Sequence, residues 1–417
     1  MKRILSVTIC ILLILASFSA CGKAGEAAET PQPEEIETGS EETSGLAEEE
    51  LPLPDHLDRA VFRGVENYGS ITASEVQRDG SDCYLFEVDG KTYELAIRRT
   101  PGFDIQNLLM EGYSYSVDLK DSVVTAVQLL DEMTEYQPVI QAEPGLRTLK
   151  NFLATCFEPM GTALYVYGGN WNWQDDGSSV LSTHIGVPGT WVDFYRSQDV
   201  HYTYADDYHK SASYYPYGGW NEYYYAGTDC SGYAGWAVYN TINTVDGEKG
   251  YVTGASRQAK LFAEQYNFGT WTSDPFNTEE DPLQPGDMIS TPSHIWICVG
   301  KCSDGSILAI HSTVTASSVG TQGGGVQLSA VNPNGYSKDC DAYRLACEYT
   351  EKYFSDWASR YPIVMKDYGK YVDFPRDNKN TGRFRWSLDD TTGLSDPDGY
   401  ASMSAEEVLS DLFNFSE

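Results

Sequence analysis

The sequence predicts an α+β protein: a small β-rich domain, then a larger domain mixing helices with an antiparallel strand pair. Three observations carry this. Tyr84–Ile97 is two apolar-alternating runs joined at Asp89-Gly90, a short hairpin signal. Gly227-Thr-Asp-Cys-Ser-Gly-Tyr-Ala-Gly-Trp-Ala-Val-Tyr-Asn240 has a turn-prone start and an apolar, aromatic run, which predicts a helix opening beside Cys230. Ile295–Gly300 and Ile307–Ile310 are two apolar strands about a Ser303-Asp-Gly305 turn.

In chain order, residues 1–21 have the form of an export signal. Lys2 and Arg3 are followed by an almost wholly apolar run from Ile4 to Leu15, then by small residues leading into Cys21. That run is short for a membrane span. The approach to Cys21 resembles a bacterial lipobox, which implies lipidation of Cys21 and a lipid anchor in the membrane, with ordinary signal cleavage and secretion as the alternative. Phe18 stands where that motif usually has Leu. Residues 22–53 are rich in Glu and Pro and poor in apolar groups, so they are expected to be an extended, disordered linker.

Residues 54–136 read as the β-rich domain, a barrel of OB-like or SH3-like type. Its strands are the Asp89-Gly90 hairpin and the pair Tyr113–Leu119 and Val123–Leu129. No basic, base-stacking groove is apparent in it, and both a spacer and a wall-ligand module fit. Residues 145–395 read as the second domain, with a large insertion at 170–228. Helical spacing marks 145–160 and 254–266. The insertion is rich in Tyr, Trp and Gly without a clean period, which reads as long loops. Such loops either line a groove for an extended ligand or bury one another. A Pro- and Tyr-rich stretch covers 361–374. A helix in 396–417 begins at the capping box Ser404-Ala-Glu-Glu407.

Composition narrows the function. With 61 acidic against 28 basic residues the formal charge is −33, which excludes nucleic acid and basic attachment to anionic lipid as partners. Aromatic residues, including 30 Tyr and 9 Trp, make up 13% of the chain, enough for a sizeable core. Cys83, Cys156, Cys230, Cys298, Cys302, Cys340 and Cys347 are an odd set, so at least one thiol stays free after export. A local Cys340–Cys347 disulfide is compatible with their spacing. No zinc-ligand spacing and no His-Glu-x-x-His run occurs, so the chemistry calls for no metal and no cofactor.

Cys230 at a helix start is the expected nucleophile, because unsatisfied amides and the positive end of the dipole there favour a thiolate. A thiolate needs an imidazole partner, and that imidazole needs a polar group on its far nitrogen. His294 begins one strand and His311 ends the next, so a hairpin brings both to one end of the sheet.

Asp229-Cys-Ser-Gly-Tyr233, Pro285-Gly-Asp287, Ser293-His-Ile-Trp-Ile-Cys-Val-Gly300 and Ile310-His-Ser312 together resemble the NlpC-type family of bacterial cell-wall cysteine peptidases. Gly161-Thr-Ala-Leu-Tyr-Val-Tyr-Gly-Gly169 is similar to that family's Tyr-bearing segment. The resemblance covers about residues 145–315. It implies a papain-like α+β fold, with the Cys helix packed on an antiparallel sheet bearing the His residues. It also implies cleavage of amide bonds in peptidoglycan stem peptides, typically after a D-glutamyl residue; the lipid anchor expected at Cys21 would hold the chain on the outer face of the cytoplasmic membrane, facing the cell wall. By position, Cys230 is the nucleophile, His294 the base and His311 the orienting group. Tyr165, Asp229, Ser231 and Ser293 contact the substrate or aid the oxyanion site. About sixty residues separate the Tyr segment from Cys230, where the family has few, and Tyr215 remains a rival to Tyr165. Trp296 replaces a small residue, which is expected to narrow the site. An amidase or acyltransferase with the same Cys and His, and a non-catalytic wall-binding lipoprotein, are the alternative readings.

Overall fold

The computed structural model describes residues 54–65, 81–98, 109, 112–121, 123–131, 135–169, 185–204, 227–246, 250–273, 276–374, 381–389 and 391–414. The export signal, Cys21, the acidic linker and Tyr215 lie outside them. Among the described residues no helix is long and apolar enough to cross a membrane.

Five strands, β1 (His56–Val65), β2 (Ser81–Val88), β3 (Lys91–Arg98), β4 (Ser114–Lys120) and β5 (Val123–Leu129), close into a barrel in the order β1-β2-β3-β5-β4. Alternation builds it: Leu57, Phe62, Tyr84, Phe86, Leu95, Tyr115, Val117 and Val124 point inward as a separate core. The β2–β3 turn holds Asp89 and Gly90 at φ 51° and 77°, the left-handed pair that a two-residue hairpin requires. The Tyr113 hydroxyl bonds Asp193 in the following domain.

In that domain the described helices are α1 (Leu149–Phe157), α2 (Gly189–Ser197), α3 (Cys230–Ile242), α4 (Ala255–Glu264), α5 (Asp341–Tyr353), α6 (Ser355–Arg360), α7 (Tyr368–Tyr371) and α8 (Ala405–Leu412). The strands are β6 (Gly269–Ser273), β7 (Met288–Ser290), β8 (Ile295–Lys301), β9 (Ile307–Ala316), β10 (Gln322–Asn332), β11 (Val364–Asp367) and β12 (Gly382–Trp386). They form one sheet ordered β11-β10-β9-β8-β7-β12-β6, antiparallel except for β10–β11. The architecture is α+β.

Both faces of this sheet are covered, which is why β8 is apolar without alternation. Ile295, Ile297, Val299, Leu308, Ile310, Val326 and Leu328 share one core with Tyr233, Trp236 and Ala237 of α3. Trp296, Cys298, Ala309 and Val331 face a second cluster closed by Val372 and Phe374. The capping box at Ser404 is formed, and α8 packs Ala405, Val408, Leu409 and Leu412 into the core of α3, so the C-terminal helix belongs to this domain. Buried Asp287, from the Pro-Gly-Asp turn, receives Arg385 Nε and Nη2 at 2.8 and 2.7 Å and ties that turn to β12.

Candidate active site

Asp229 caps α3: its Oδ1 accepts from the Ser231 and Gly232 amides at 2.9 and 2.8 Å and from the Ser231 hydroxyl at 2.8 Å. The Tyr233 amide bonds the Asp229 carbonyl. Of the four amides at the helix start, that leaves the Cys230 N–H outside the cap.

The loop carrying Asp229 is held by backbone on both sides. The Thr228 amide donates to Leu164 O at 3.1 Å, the Asp229 amide to Gly169 O at 2.8 Å, and Ser312 Oγ to Thr228 O at 2.6 Å. Gly227 is required by the close approach, since a Cβ there would stand 2.4 Å from Leu164 O. The Tyr165 amide in turn bonds Gly324 O at 2.8 Å. The segment Ala163–Gly169 is thus wedged between the nucleophile loop and β10.

Tyr165 consequently stands by the sulfur: burial pushes the pKa of its phenol up, and charge on Cys230 and on Asp229 opposes its ionisation further. Its carbonyl accepts from Tyr202 and its ring meets Tyr204 edge-on at 5.3 Å. About sixty intervening residues do not prevent this placement, because the insertion leaves from one end of the wedge and returns beside it.

His294, one residue before β8, meets His311, which lies within β9 rather than at its end because that strand continues to Ala316 in its pairing with β10. His294 Nε2 lies 2.7 Å from His311 Nδ1, and His311 Nε2 lies 2.9 Å from Ser329 Oγ on β10. His311 and Ser329 are fully buried. Burial pulls the His294 pKa down to about 3 and holds that of His311 well below the ordinary value, and the Lys366 ammonium lowers both further. The pair is neutral at pH 7. With both rings neutral two proton orders fit these distances, and we assign the one that leaves His294 able to take a proton: His294 Nε2–H donates to His311 Nδ1, and His311 Nε2–H donates to Ser329 Oγ. His294 Nδ1 is then the free acceptor.

Cys230 Sγ takes a hydrogen bond from the Ile295 N–H, the residue next to His294. The helix-start amides of Cys230 and Ser231 lower its pKa, as their position predicts. Burial, foremost, and the Asp229 carboxylate outweigh them, so the thiol is pushed up to about 12. Burial and the neighbouring carboxylate thus work against the thiolate that the helix start favours. A dipole worth about 1 kcal/mol is small beside the desolvation of a thiol on a residue only 7% exposed.

Ser231 keeps its hydroxyl on Asp229 and its carbonyl under Gln258, and Ser293 is exposed just before β8. Trp296 packs its ring 6.0 Å from that of Tyr371. It is fully buried on the second face and donates through Nε1 to Tyr371 O at 3.3 Å. Cys340 and Cys347 are free thiols, as are Cys156, Cys230, Cys298 and Cys302; α5 begins between the first pair and separates them along its length.

Four residues escaped sequence reasoning: Ser329, Thr313, Lys366 and Tyr371. The Tyr371 ring lies 5.6 Å from His294 and 5.8 Å from His311, its phenol bonds Thr313, and burial first, with charge on Cys230 after it, opposes its ionisation. Lys366 Nζ donates to Thr313 Oγ1 at 2.9 Å. Among the described residues no cluster of His, Cys, Asp or Glu is arranged to hold a metal ion. No family model, no curated protein and no solved structure matches this chain.

Proposed function

We propose that the chain is a cysteine peptidase that hydrolyses amide bonds in peptidoglycan stem peptides, with residues 145–413 forming a papain-like catalytic domain. The observation that carries the reading is the row His294, His311, Ser329, which begins one residue from the Ile295 N–H that bonds Cys230 Sγ at the start of α3. Two imidazoles joined at 2.7 Å inside a sheet cost desolvation, and a purely structural pair has no need of a thiol at its open end.

In the reaction, Cys230 Sγ attacks the amide carbonyl carbon as its proton passes to His294 Nδ1. The imidazolium formed is stabilised through its Nε2–H to His311 and onward to Ser329. The Cys230 N–H and Ile295 N–H, both beside the sulfur, are the donors nearest the developing oxyanion. His294 then gives its proton to the leaving amine nitrogen as the C–N bond breaks, leaving a thioester. Water, deprotonated by His294, attacks that thioester; the acid product leaves and the thiol is restored. Because thiol and imidazole are both neutral at rest, proton transfer accompanies attack.

Tyr165 and Asp229 border the same opening and are assigned to substrate contact; Ser231 and Ser293 flank it. Export and lipidation at Cys21 would place this activity on the outer face of the membrane, facing the wall. Purified peptidoglycan incubated with the chain is expected to release soluble muropeptides with new amine termini. Release of none, or release by glycan cleavage alone, contradicts the reading, and the mass of the products separates an endopeptidase from an amidase or acyltransferase.

A further inference from the structure

The Pro- and Tyr-rich stretch 361–374 supplies none of the row His294, His311, Ser329, yet it reaches that row. Within it β11 pairs with β10, α7 follows, and Val372 and Phe374 pin its end into the second core. Tyr371, at the end of α7, stands against both imidazoles. The ring centres of His294, His311 and Tyr371 form a triangle with sides of 4.9, 5.6 and 5.8 Å, and Tyr371 meets His311 edge-on.

The Tyr371 ring is itself held at two points. Trp296 Nε1 donates to the Tyr371 carbonyl at 3.3 Å, and the two rings lie 6.0 Å apart. The phenol bonds Thr313, two residues beyond His311 on the same face of β9, and Thr313 Oγ1 also accepts from Lys366 Nζ at 2.9 Å. Trp296 thus has a purpose in this chain at a position where a small residue was expected: it carries the segment that covers the histidines. The phenol is no proton carrier, because burial holds it protonated, well above its ordinary range.

Of the two imidazoles, His311 is fully buried and fixed through both nitrogens, whereas His294 is only half-buried. The outer torsion of a histidine side chain has broad wells, so one hydrogen bond is a weak hold on a ring that borders solvent. Resting on the hydrolase reading above, we infer that Tyr371 is a positioning residue. Its ring, braced by Trp296 and Thr313, keeps the His294 imidazole turned onto His311 and keeps water off the bond between them, which leaves the other His294 nitrogen for the reacting thiol. A bond kept dry in this way is also stronger than the same bond in water.

The test compares the full chain with Tyr371→Leu, which removes the ring, and Tyr371→Phe, which keeps it. The first readout is nuclear magnetic resonance with isotope-labelled histidine, which needs no substrate. Wild type and Tyr371→Phe are expected to show a slowly exchanging imidazole N–H between His294 and His311, and Tyr371→Leu to exchange it about tenfold faster or more. The second readout is stem-peptide hydrolysis. In Tyr371→Leu kcat should fall roughly 10- to 100-fold, as for a misplaced base, with KM nearly unchanged, and Tyr371→Phe should keep most of kcat. Full kcat and a protected N–H in Tyr371→Leu overturn the inference and leave the hydrolase standing. Equal damage in Tyr371→Phe also overturns it, since the hydroxyl and not the ring would then matter. An N–H that exchanges in wild type as fast as that of an exposed imidazole overturns it without any variant, so poor folding of Tyr371→Leu does not protect the idea. Protection that depends on the ring, in a chain that cleaves no stem peptide, sinks the hydrolase and keeps the placement of His294 by Tyr371.

Discussion

Ser329→Ala removes one oxygen from the far end of the histidine row and tests whether that row acts as a unit. His311 and Ser329 are each fully buried, and Ser329 Oγ sits 2.9 Å from His311 Nε2. Alanine leaves a buried imidazole N–H without an acceptor, a loss of about 1–3 kcal/mol. His311 can escape part of that penalty by moving its proton to Nδ1. That nitrogen is the acceptor on which His294 Nε2–H depends, so the escape turns two donors towards each other at 2.7 Å. Stability and catalysis should therefore fall together: about 1–3 kcal/mol in urea unfolding, and roughly 5- to 100-fold in kcat. KM should change little, because Ser329 lies behind the histidines and away from the substrate opening. The assay is peptide hydrolysis followed by released amine, beside urea titrations of both proteins. A variant that loses stability but keeps full kcat refutes the coupling of Ser329 to His294.

Two further outcomes are expected. Alkylation of Cys230 by iodoacetamide, followed by peptide mass to separate it from the other thiols, should accelerate about tenfold per pH unit through pH 9, because the thiol is held near 12; a fast, level rate reaching into acid would instead reveal a preformed thiolate–imidazolium pair. Burial raises the Glu158 carboxyl to about 7 against an ordinary value near 4.5, so the folded state binds its proton more tightly. Its contribution is fully present below about pH 4.5 and lost as pH rises through 7, and Glu158→Gln, which keeps the acceptor for the Ala142 amide, should raise stability at pH 8 by on the order of 2–3 kcal/mol but not at pH 4.

Local signals served well where the chain's own chemistry was short-range. Asp89-Gly90 set a hairpin, Asp229 set a helix start and Ser404 set a capping box, each decided within four residues. His294 and His311 were legible as a pair because they flank one hairpin, whose register brings their ends together. Gln322–Asn332 was not assigned as a strand: Gly323, Gly324 and Gly325 carry no strand signal, yet glycine is needed because β10 passes the Tyr165 segment so closely that a Cβ on Gly325 would lie 2.0 Å from Ala163 O. With β10 unseen, Ser329 had no register and stayed unassigned. Lys366 and Tyr371 escaped for a similar reason, since they reach the histidines only through the parallel pairing of β11 with β10. The forces on the Cys230 thiol were legible only in part, because the dipole is readable in sequence, whereas burial of Cys230 is a property of the packed sheet.

The most direct measurement is intact-protein mass spectrometry of wild type and Cys230→Ala after rapid acid quench during turnover of a stem peptide. The account predicts a thioester adduct, with the mass of the acyl fragment, on the peptide containing Cys230 in wild type, and neither adduct nor hydrolysis in Cys230→Ala. Hydrolysis that persists in Cys230→Ala would contradict it.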